Sequence, residues 1–168
     1  MKRTFIVLIS ITILIATGCE PKMQEPDLKK EKAEVANVLE KYVIANENQN
    51  FSLIEEIWAN DDNILLLGTD SDEIYLGWKQ IKKAIQHQFN SFEDTYIVVS
   101  DQRIQLNKTG NSAWFSEHLN YNFIYEGEAK SFEGIRFTGV LEKRNGAWEL
   151  VQGHLSIPVE EGTETGEE

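Results

Sequence analysis

The fold is decided by the C-terminal run IRFTGVLEKRNGAWELVQGHLSI at residues 135–157. Apolar and polar residues alternate on both sides of Asn145-Gly146, and this dipeptide between alternating runs is the strongest short-range signal for a β-hairpin. Two further turn signals, Lys108–Asn111 and Glu126–Glu128, precede it. The chain from Thr95 to Ile157 is therefore predicted to form four long strands in an antiparallel meander.

The first half of the chain has helical periodicity instead. Apolar spacings of three and four residues predict helices over 28–48, 52–58 and 78–92. Two short strands, 64–67 and 73–76, are predicted between the second and third helices. Helices that precede a meander must cover one of its faces, so the predicted class is α+β, with three N-terminal helices packed on a curved, mainly antiparallel sheet.

The N-terminus has the pattern of an export signal. A basic pair at residues 2–3 precedes an apolar run, Phe5–Ile15, that is too short to span a bilayer as a stable helix. The run leads into Ala16–Cys19, which resembles the lipobox of bacterial lipoproteins. That resemblance implies a lipoprotein signal peptide over residues 1–18 and acylation of Cys19, which would anchor the protein to a membrane. The alternative is an ordinary signal peptide followed by an incidental cysteine.

The exported chain is expected to be one domain between two polar ends. Residues 19–27 contain two prolines and are predicted to be a tether, and residues 28–158 form the domain. Residues 159–168 are rich in Glu, Gly and Thr and are expected to be a disordered acidic tail. Residue Glu20 stands where an Asp would resemble an inner-membrane retention signal, which favours the outer membrane in a Gram-negative cell.

Composition argues against several kinds of partner and cofactor. The chain has 28 Asp and Glu against 16 Lys and Arg, a formal net charge of −12, so nucleic-acid phosphates would be repelled. A single cysteine excludes a disulfide framework. The three histidines are isolated, Asp70-Ser-Asp72 lacks the other ligands of a calcium loop, and no glycine-rich phosphate loop follows a strand. We therefore expect no nucleic acid, no metal and no cofactor.

Three local motifs accompany the predicted order of elements. Gly77-Trp78-x-x-Ile81 opens the third helix, Ala113–Ser116 begins a long strand, and R-x-T…N-G-x-W…H-x-S-x-P extends over residues 136–158. Together they resemble the nuclear transport factor 2-like superfamily over residues 30–158. The last motif is similar to SnoaL-like domains close to the association domain of calcium/calmodulin-dependent kinases.

That resemblance implies a cone-shaped half-barrel with a pocket between the helices and the concave face of the sheet. It also implies a homodimer formed through the sheet. Members of the superfamily include isomerases, dehydratases and polyketide cyclases, together with non-catalytic binding and assembly domains. The fold therefore does not decide the function.

Glu117 is the first candidate catalytic residue. Strand alternation places it on the same face as Phe115, Leu119, Tyr121 and Phe123. If this face is the concave one, desolvation raises the pKa of the Glu117 carboxyl and suits it to general acid–base catalysis. The alternative is that Glu117 pairs with an Arg of a neighbouring strand, or that a bulge turns it outward.

Arg136 and His154 are further candidates in the meander. Simple alternation places Arg136 outward or at a dimer surface, whereas a bulge would turn it inward as the counter-ion of Glu117 or of an anionic ligand. His154 lies beside Ser156 near a strand end. It could act at the pocket mouth as a base, or it could be a structural histidine.

Aromatic residues supply the candidate ligand-binding wall. Tyr75 and Trp78 flank Gly77 near the expected opening of the cone, and Trp58 precedes the first short strand. At helical spacing, such residues could equally be plain core. With Tyr121 and Arg136 they are the predicted ligand-binding residues.

These observations predict a lipid-anchored protein of the cell envelope whose domain binds a small apolar ligand or a protein partner in or beside the cone pocket. One alternative is a cofactor-free isomerase, dehydratase or cyclase that uses Glu117 or His154 as its base. Another is a non-catalytic dimeric assembly module. Non-catalytic binding is favoured because the sequence specifies no acid–base pair.

Overall fold

The computed structural model describes residues 25–158. The helices are α1 (Leu28–Glu47), α2 (Phe51–Ile57) and α3 (Trp78–Ser91), and the strands are β1 (Leu65–Leu67), β2 (Ile74–Leu76), β3 (Phe92–Leu106), β4 (Ser112–Tyr125), β5 (Glu128–Arg144) and β6 (Ala147–Ser156). These strands form one six-stranded sheet in the order β2-β1-β6-β5-β4-β3. Neighbouring strands are antiparallel except for β1 and β6, which are parallel. The predicted α+β class, with three helices on a curved and mainly antiparallel sheet, is confirmed.

Several sequence predictions concern residues outside 25–158. The signal peptide, Cys19, most of the tether and the acidic tail all lie beyond the described residues, so these remain predictions. Within the described range, no helix is both long enough and apolar enough to cross a membrane.

Side-chain caps fix where the first two helices begin. The Asp27 carboxylate accepts hydrogen bonds from the backbone N–H groups of Lys29 and Lys30, each at 3.1 Å, at the start of α1. The Asn50 side chain accepts from Leu53 N at 3.2 Å, and α2 therefore begins at Phe51.

Register shifts decide which side chains point into the core. The inner face of β4, which the helices cover, carries the buried residues Ala113, Phe115, Glu117, Leu119, Tyr121 and Phe123. Between β5 and β6 a bulge leaves Val151 unpaired. Leu150 and Gly153 therefore point inward, whereas Gln152 and His154 share the outer face of the sheet with Arg136.

The core lies between the helices and the inner face of the sheet. Tyr42 of α1 stacks on Phe137 of β5 with ring centroids 4.7 Å apart, and Phe115 meets the same ring edge-on at 4.9 Å. The strands approach closely at Gly139, where a Cβ would collide with the backbone oxygen of Gln152 and with the Phe115 ring. This glycine is what allows β5 to pack against β6 and under the aromatic rings.

Candidate ligand-binding pocket

A cavity of about 550 Å³ opens at one end of the cone, between α3, the β1–β2 segment and the inner face of β4–β6. Seven aromatic side chains line it: Tyr42, Tyr75, Phe92, Tyr121, Phe123, Tyr125 and Phe132. Aliphatic lining comes from Leu66, Ala84, Ile85, Ile135, Leu155 and Ile157. A cavity of this size and lining has the dimensions of sites that hold small organic molecules.

The aromatic wall is ordered by ring packing around Phe123. Its ring stacks on Phe92 with centroids 3.9 Å apart and on Phe132 at 6.0 Å, and Tyr121 meets it edge-on at 5.8 Å. Because Tyr121, Phe123 and Tyr125 are two residues apart on β4, strand alternation brings all three to the cavity. The result is a broad apolar surface suited to a planar or alkyl group.

Helix α3 forms the side of the cavity opposite the aromatic wall, and Gly77 determines where this helix begins. Gly77 adopts a left-handed conformation, φ 73°, which lets the chain turn sharply from β2 into the helix. Ile81 and Ile85 then pack into the core. The helical period places Gln88 one turn further along the same side, where it reaches the cavity.

A polar cluster of Asn46, Gln88 and Tyr121 lies at the inner end of the cavity. Asn46 Nδ2 donates to the backbone oxygen of Tyr42 at 2.8 Å, which fixes the orientation of the Asn46 amide because a carbonyl can only accept. Asn46 Oδ1 then accepts from Gln88 Nε2 at 3.1 Å and from the Tyr121 hydroxyl at 3.3 Å. Gln88 Nε2 also donates to the Tyr121 hydroxyl oxygen at 2.9 Å.

Both buried tyrosines of the lining stay protonated. Desolvation by burial, followed by the nearby charge of Glu117, raises the pKa of Tyr42 well above the usual range of a phenol. Burial likewise raises the pKa of Tyr121. Neither hydroxyl can therefore serve as a base near neutral pH, and both act as neutral polar groups.

Carboxylates form the rim of the cavity. Asp70 and Glu73 both line it, and Glu73 Oε2 accepts a hydrogen bond from the backbone N–H of Asp70 at 3.1 Å. The Tyr75 hydroxyl donates to Glu73 Oε1 at 3.5 Å, and burial together with the Glu73 charge raises the pKa of Tyr75. Among the lining residues that the structure describes, there is no Lys or Arg.

Glu117 lies on the inner face as alternation predicts, but not at the cavity. It is 2% exposed, and its Oε2 accepts a hydrogen bond from Gln102 Nε2 at 2.8 Å. Within residues 25–158, its Oε1 has no hydrogen-bond partner. Burial raises the pKa of the Glu117 carboxyl. The expected desolvation is present, whereas the access to a ligand that catalysis requires is not.

Two meander candidates point away from the cavity. Arg136 is exposed on the outer face, where it pairs in register with His118 and Ser156, so it is not the counter-ion of Glu117 and does not line the cavity. Simple alternation places Arg136 correctly because the register shifts of β5 lie before Ile135 and after Val140. The Val151 bulge turns His154 outward as well, so it does not line the pocket mouth as a base, and Leu155 lines the cavity instead.

Of the predicted ligand-binding residues, Tyr75 and Tyr121 line the cavity. Trp58 is buried in the core, where its ring lies against Gly153. Trp78 stacks on Phe51 with centroids 6.4 Å apart, at the other end of α3. Neither tryptophan lines the cavity, because the Trp58 ring packs against β6 and the Trp78 ring packs against α2.

Other lining residues were missed by sequence reasoning. The two-residue spacing on β4 that predicts Tyr121 could also have predicted Tyr125. Phe132 has no such signal, because a bulge near Gly134 shifts its register relative to β4. Asn46 and Gln88 are helical polar residues far apart in sequence, and only tertiary packing brings them together. Within residues 25–158, no group of three or more His, Cys, Asp or Glu is placed to hold a metal ion.

Comparison with known proteins identifies relatives of this domain. The profile of the SnoaL-like domain family matches residues 35–160. A nuclear transport factor 2-like superfamily protein from Salmonella enterica serovar Typhimurium superimposes with a TM-score of 0.72 at 17% identity, over 83% of this chain and 99% of that one. A candidate calcium/calmodulin dependent protein kinase II association domain from Xanthomonas campestris gives 0.64 at 23% identity, over 76% and 87%.

A third similar structure is a candidate scytalone dehydratase from Novosphingobium aromaticivorans. It superimposes with a TM-score of 0.69 at 13% identity, over 78% of this chain and 86% of that one. A search of curated protein sequences gives no significant match. At these identities the solved structures establish the fold alone.

Proposed function

The chain belongs to the SnoaL-like domain family, and on that premise we propose that its domain binds a small, largely apolar ligand in the cone cavity of a protein anchored to the cell envelope. The observation that carries the binding proposal is the cavity of about 550 Å³ with its aromatic wall. Sites that bury drug-sized molecules have volumes of about 300–1,000 Å³ and mostly apolar linings.

Binding is favoured over catalysis by the placement of the titratable groups. Neither Glu117 nor His154 is among the residues that line the cavity. The hydroxyls of Tyr42 and Tyr121 remain neutral. Of the other titratable lining residues, Asp70 and His87 are exposed to solvent, and Glu73 accepts hydrogen bonds from Tyr75 and from the backbone of Asp70. A cofactor-free isomerase or dehydratase needs a base within hydrogen-bond reach of its substrate. The cavity is therefore better suited to holding a ligand than to removing a proton from a substrate.

Native mass spectrometry of the protein recovered from its own cell envelope tests the proposal. We expect a retained small molecule that dissociates at higher collision energy. Ala84→Phe places a ring inside the cavity and should abolish retention, whereas Lys83→Phe adds the same ring to the exposed side of the same helix and should not. Retention that Ala84→Phe leaves unchanged would place the ligand outside this cavity.

The envelope anchor is proposed from the sequence pattern at Cys19. Two acyl chains give stable membrane attachment, with about 0.8 kcal/mol per buried CH₂ group. Cys19→Ser should move the protein out of the membrane fraction, whereas Gln24→Ser, in the adjoining tether, should leave it there. Unchanged membrane recovery of Cys19→Ser would refute the lipid anchor.

A homodimer through the outer face of the sheet is proposed from the apolar residues exposed there. Tyr96, Val98 and Trp114 share this face, and Trp114 is 46% exposed. Trp114→Glu should convert a dimer into a monomer in light scattering, whereas Ile44→Glu, at an exposed apolar position of α1, should not. A native protein that is monomeric at high concentration would refute the dimer.

A further inference from the structure

The side-chain N–H groups of Gln88 and the hydroxyl of Tyr121 already donate to protein groups at the inner end of the cavity. Gln88 Nε2 donates to Asn46 Oδ1 and to the Tyr121 hydroxyl oxygen, and the Tyr121 O–H donates to Asn46 Oδ1. The Asn46 N–H goes to the backbone oxygen of Tyr42. Because that carbonyl fixes the orientation of the Asn46 amide, neither Gln88 nor Tyr121 can turn a donor toward a ligand without breaking a hydrogen bond of the cluster.

An acceptor remains at the same place. Across residues 25–158, Gln88 Oε1 accepts no hydrogen bond, although Gln88 lines the cavity. A ligand that donates a hydrogen bond can pair with this oxygen. A ligand whose polar group only accepts, such as a carboxylate, finds the donors of Gln88 and Tyr121 already occupied.

Electrostatics at the rim point in the same direction. Asp70 and Glu73 are carboxylates at the opening, and the lining described above contains neither Lys nor Arg. Lys130, on the same face of β5 as Phe132, forms an ion pair with Glu128, with Nζ and Oε2 2.6 Å apart. His87 is the remaining lining residue that can carry a positive charge, and its side chain is exposed to solvent. The net charge of the whole chain, −12, adds to the negative potential.

The aromatic wall completes the site. The faces of Tyr and Phe rings attract a cation through their quadrupoles, and this attraction is stronger where water is excluded. The stacked rings of Phe92, Phe123 and Phe132 also bury an apolar body. The cavity thus combines an apolar surface, a free acceptor and a negative rim.

We propose that the ligand of this cavity is a cationic amphiphile: an ammonium group, or another positively charged hydrogen-bond donor, carried on an aryl or alkyl body. The body lies against the aromatic wall, and the charged donor is held by the Gln88 amide oxygen or by the rim carboxylates. This inference rests on the proposed function, because it names the chemical class of ligand for the same cavity.

Three probes with one common body test the inference: 4-phenylbutylamine, 4-phenylbutan-1-ol and 4-phenylbutanoate. Their binding to the full chain is measured by titration calorimetry at low ionic strength, where exposed charges are least screened. We expect the amine to bind about tenfold more tightly than the carboxylate, with the alcohol between them. The advantage of the amine should shrink as salt is added.

Matched charge variants distinguish local from long-range effects. Asp70→Asn combined with Glu73→Gln should bring the amine and the alcohol to within about twofold of each other. Asp101→Asn combined with Glu149→Gln removes the same charge away from the cavity and should preserve the amine preference. If the double rim variant keeps the full preference, the rim does not recognise the cation and the inference is overturned.

The probes also separate this inference from the proposed function. If the alcohol binds as tightly as the amine, or the carboxylate binds most tightly, the cationic-ligand inference is wrong while the cavity remains a small-molecule site. If none of the three binds and Ala84→Phe changes nothing in native mass spectrometry, the proposed function itself fails.

Discussion

The buried carboxyl group of Glu117 should make the stability of this domain depend on pH. No cation pairs with it among the described residues, and its described hydrogen bond is the one from Gln102. Burial raises its pKa in the folded state, and the bond from Gln102 opposes this effect only in part. Glu117→Gln keeps the size of the side chain and an oxygen for Gln102 but removes the titration.

The direction of the effect follows from proton linkage. The folded-state pKa lies above the unfolded one, so the folded protein holds a proton that the unfolded chain has already released. The contribution to stability is therefore fully present below the unfolded-state pKa of about 4.3 and is lost as pH rises through the folded-state pKa. Between those two values, one proton changes the free energy of unfolding by at most about 1.4 kcal/mol per pH unit.

Urea denaturation followed by tryptophan fluorescence from pH 4 to pH 8 measures this effect. The quantity of interest is the free energy of unfolding of Glu117→Gln minus that of the wild type. This difference should grow with pH by up to about 1.4 kcal/mol per unit and then level off, which corresponds to a shift in Tm of about 4 °C per pH unit. Glu133→Gln, at an exposed position of β5, should give a difference that does not vary with pH.

Other ionisable groups do not obscure this measurement. The carboxyls of Glu31 and Asp61 have lowered pKa values, because each accepts hydrogen bonds that favour its charged form, so their contributions disappear as pH falls. These contributions are present in both proteins and cancel in the difference. A difference that stays flat from pH 4 to pH 8 would show that Glu117 is not held protonated by burial, and the reasoning would fail.

Three more variants probe other parts of the structure. Gly139→Ala should lower the free energy of unfolding in urea by about 1–3 kcal/mol, because a Cβ there collides with the backbone of β6 and a phenylalanine ring of β4. Lys143→Met removes the ion pair of Lys143 Nζ with Glu31 Oε2 at 2.6 Å and should cost about 1 kcal/mol at pH 7, a cost that should fall as pH decreases through the lowered pKa of Glu31. Asn46→Leu takes away the acceptor that Gln88 and a lining tyrosine share, so it should destabilise the fold by about 1–3 kcal/mol and weaken the preference for the amine probe in calorimetry.

The fold could be predicted from the sequence because its signals are local. The Asn145-Gly146 turn and the two-residue alternation around it determine a hairpin without reference to the rest of the chain. The helical period of the first half is equally local. The predicted segment 64–67 contains β1, and 73–76 contains β2, although both strands are only three residues long.

The site was harder to predict because bulges and packing decide it. Alternation along β4 correctly places Glu117 and Tyr121 on the inner face, since β4 keeps its alternation over these residues. His154 lies beyond the Val151 bulge, and a bulge depends on how two strands fit together, which one strand's pattern does not encode. The burial of Glu117 away from the cavity likewise depends on tertiary packing, because its register partner Phe137 stacks on Tyr42 of α1.

The parallel pairing of β1 with β6 has a consequence for how the domain is made. β6 is synthesised after all the other strands, yet it lies in the middle of the sheet, between β1 and β5. On an emerging chain, the β1–β2 hairpin has no sheet to join until β6 leaves the ribosome, and bringing β1 and β6 together closes a loop that spans most of the domain. The sheet is therefore completed only after synthesis of its last strand, and a chain shortened before Ala147 would leave its two parts with no strand to connect them.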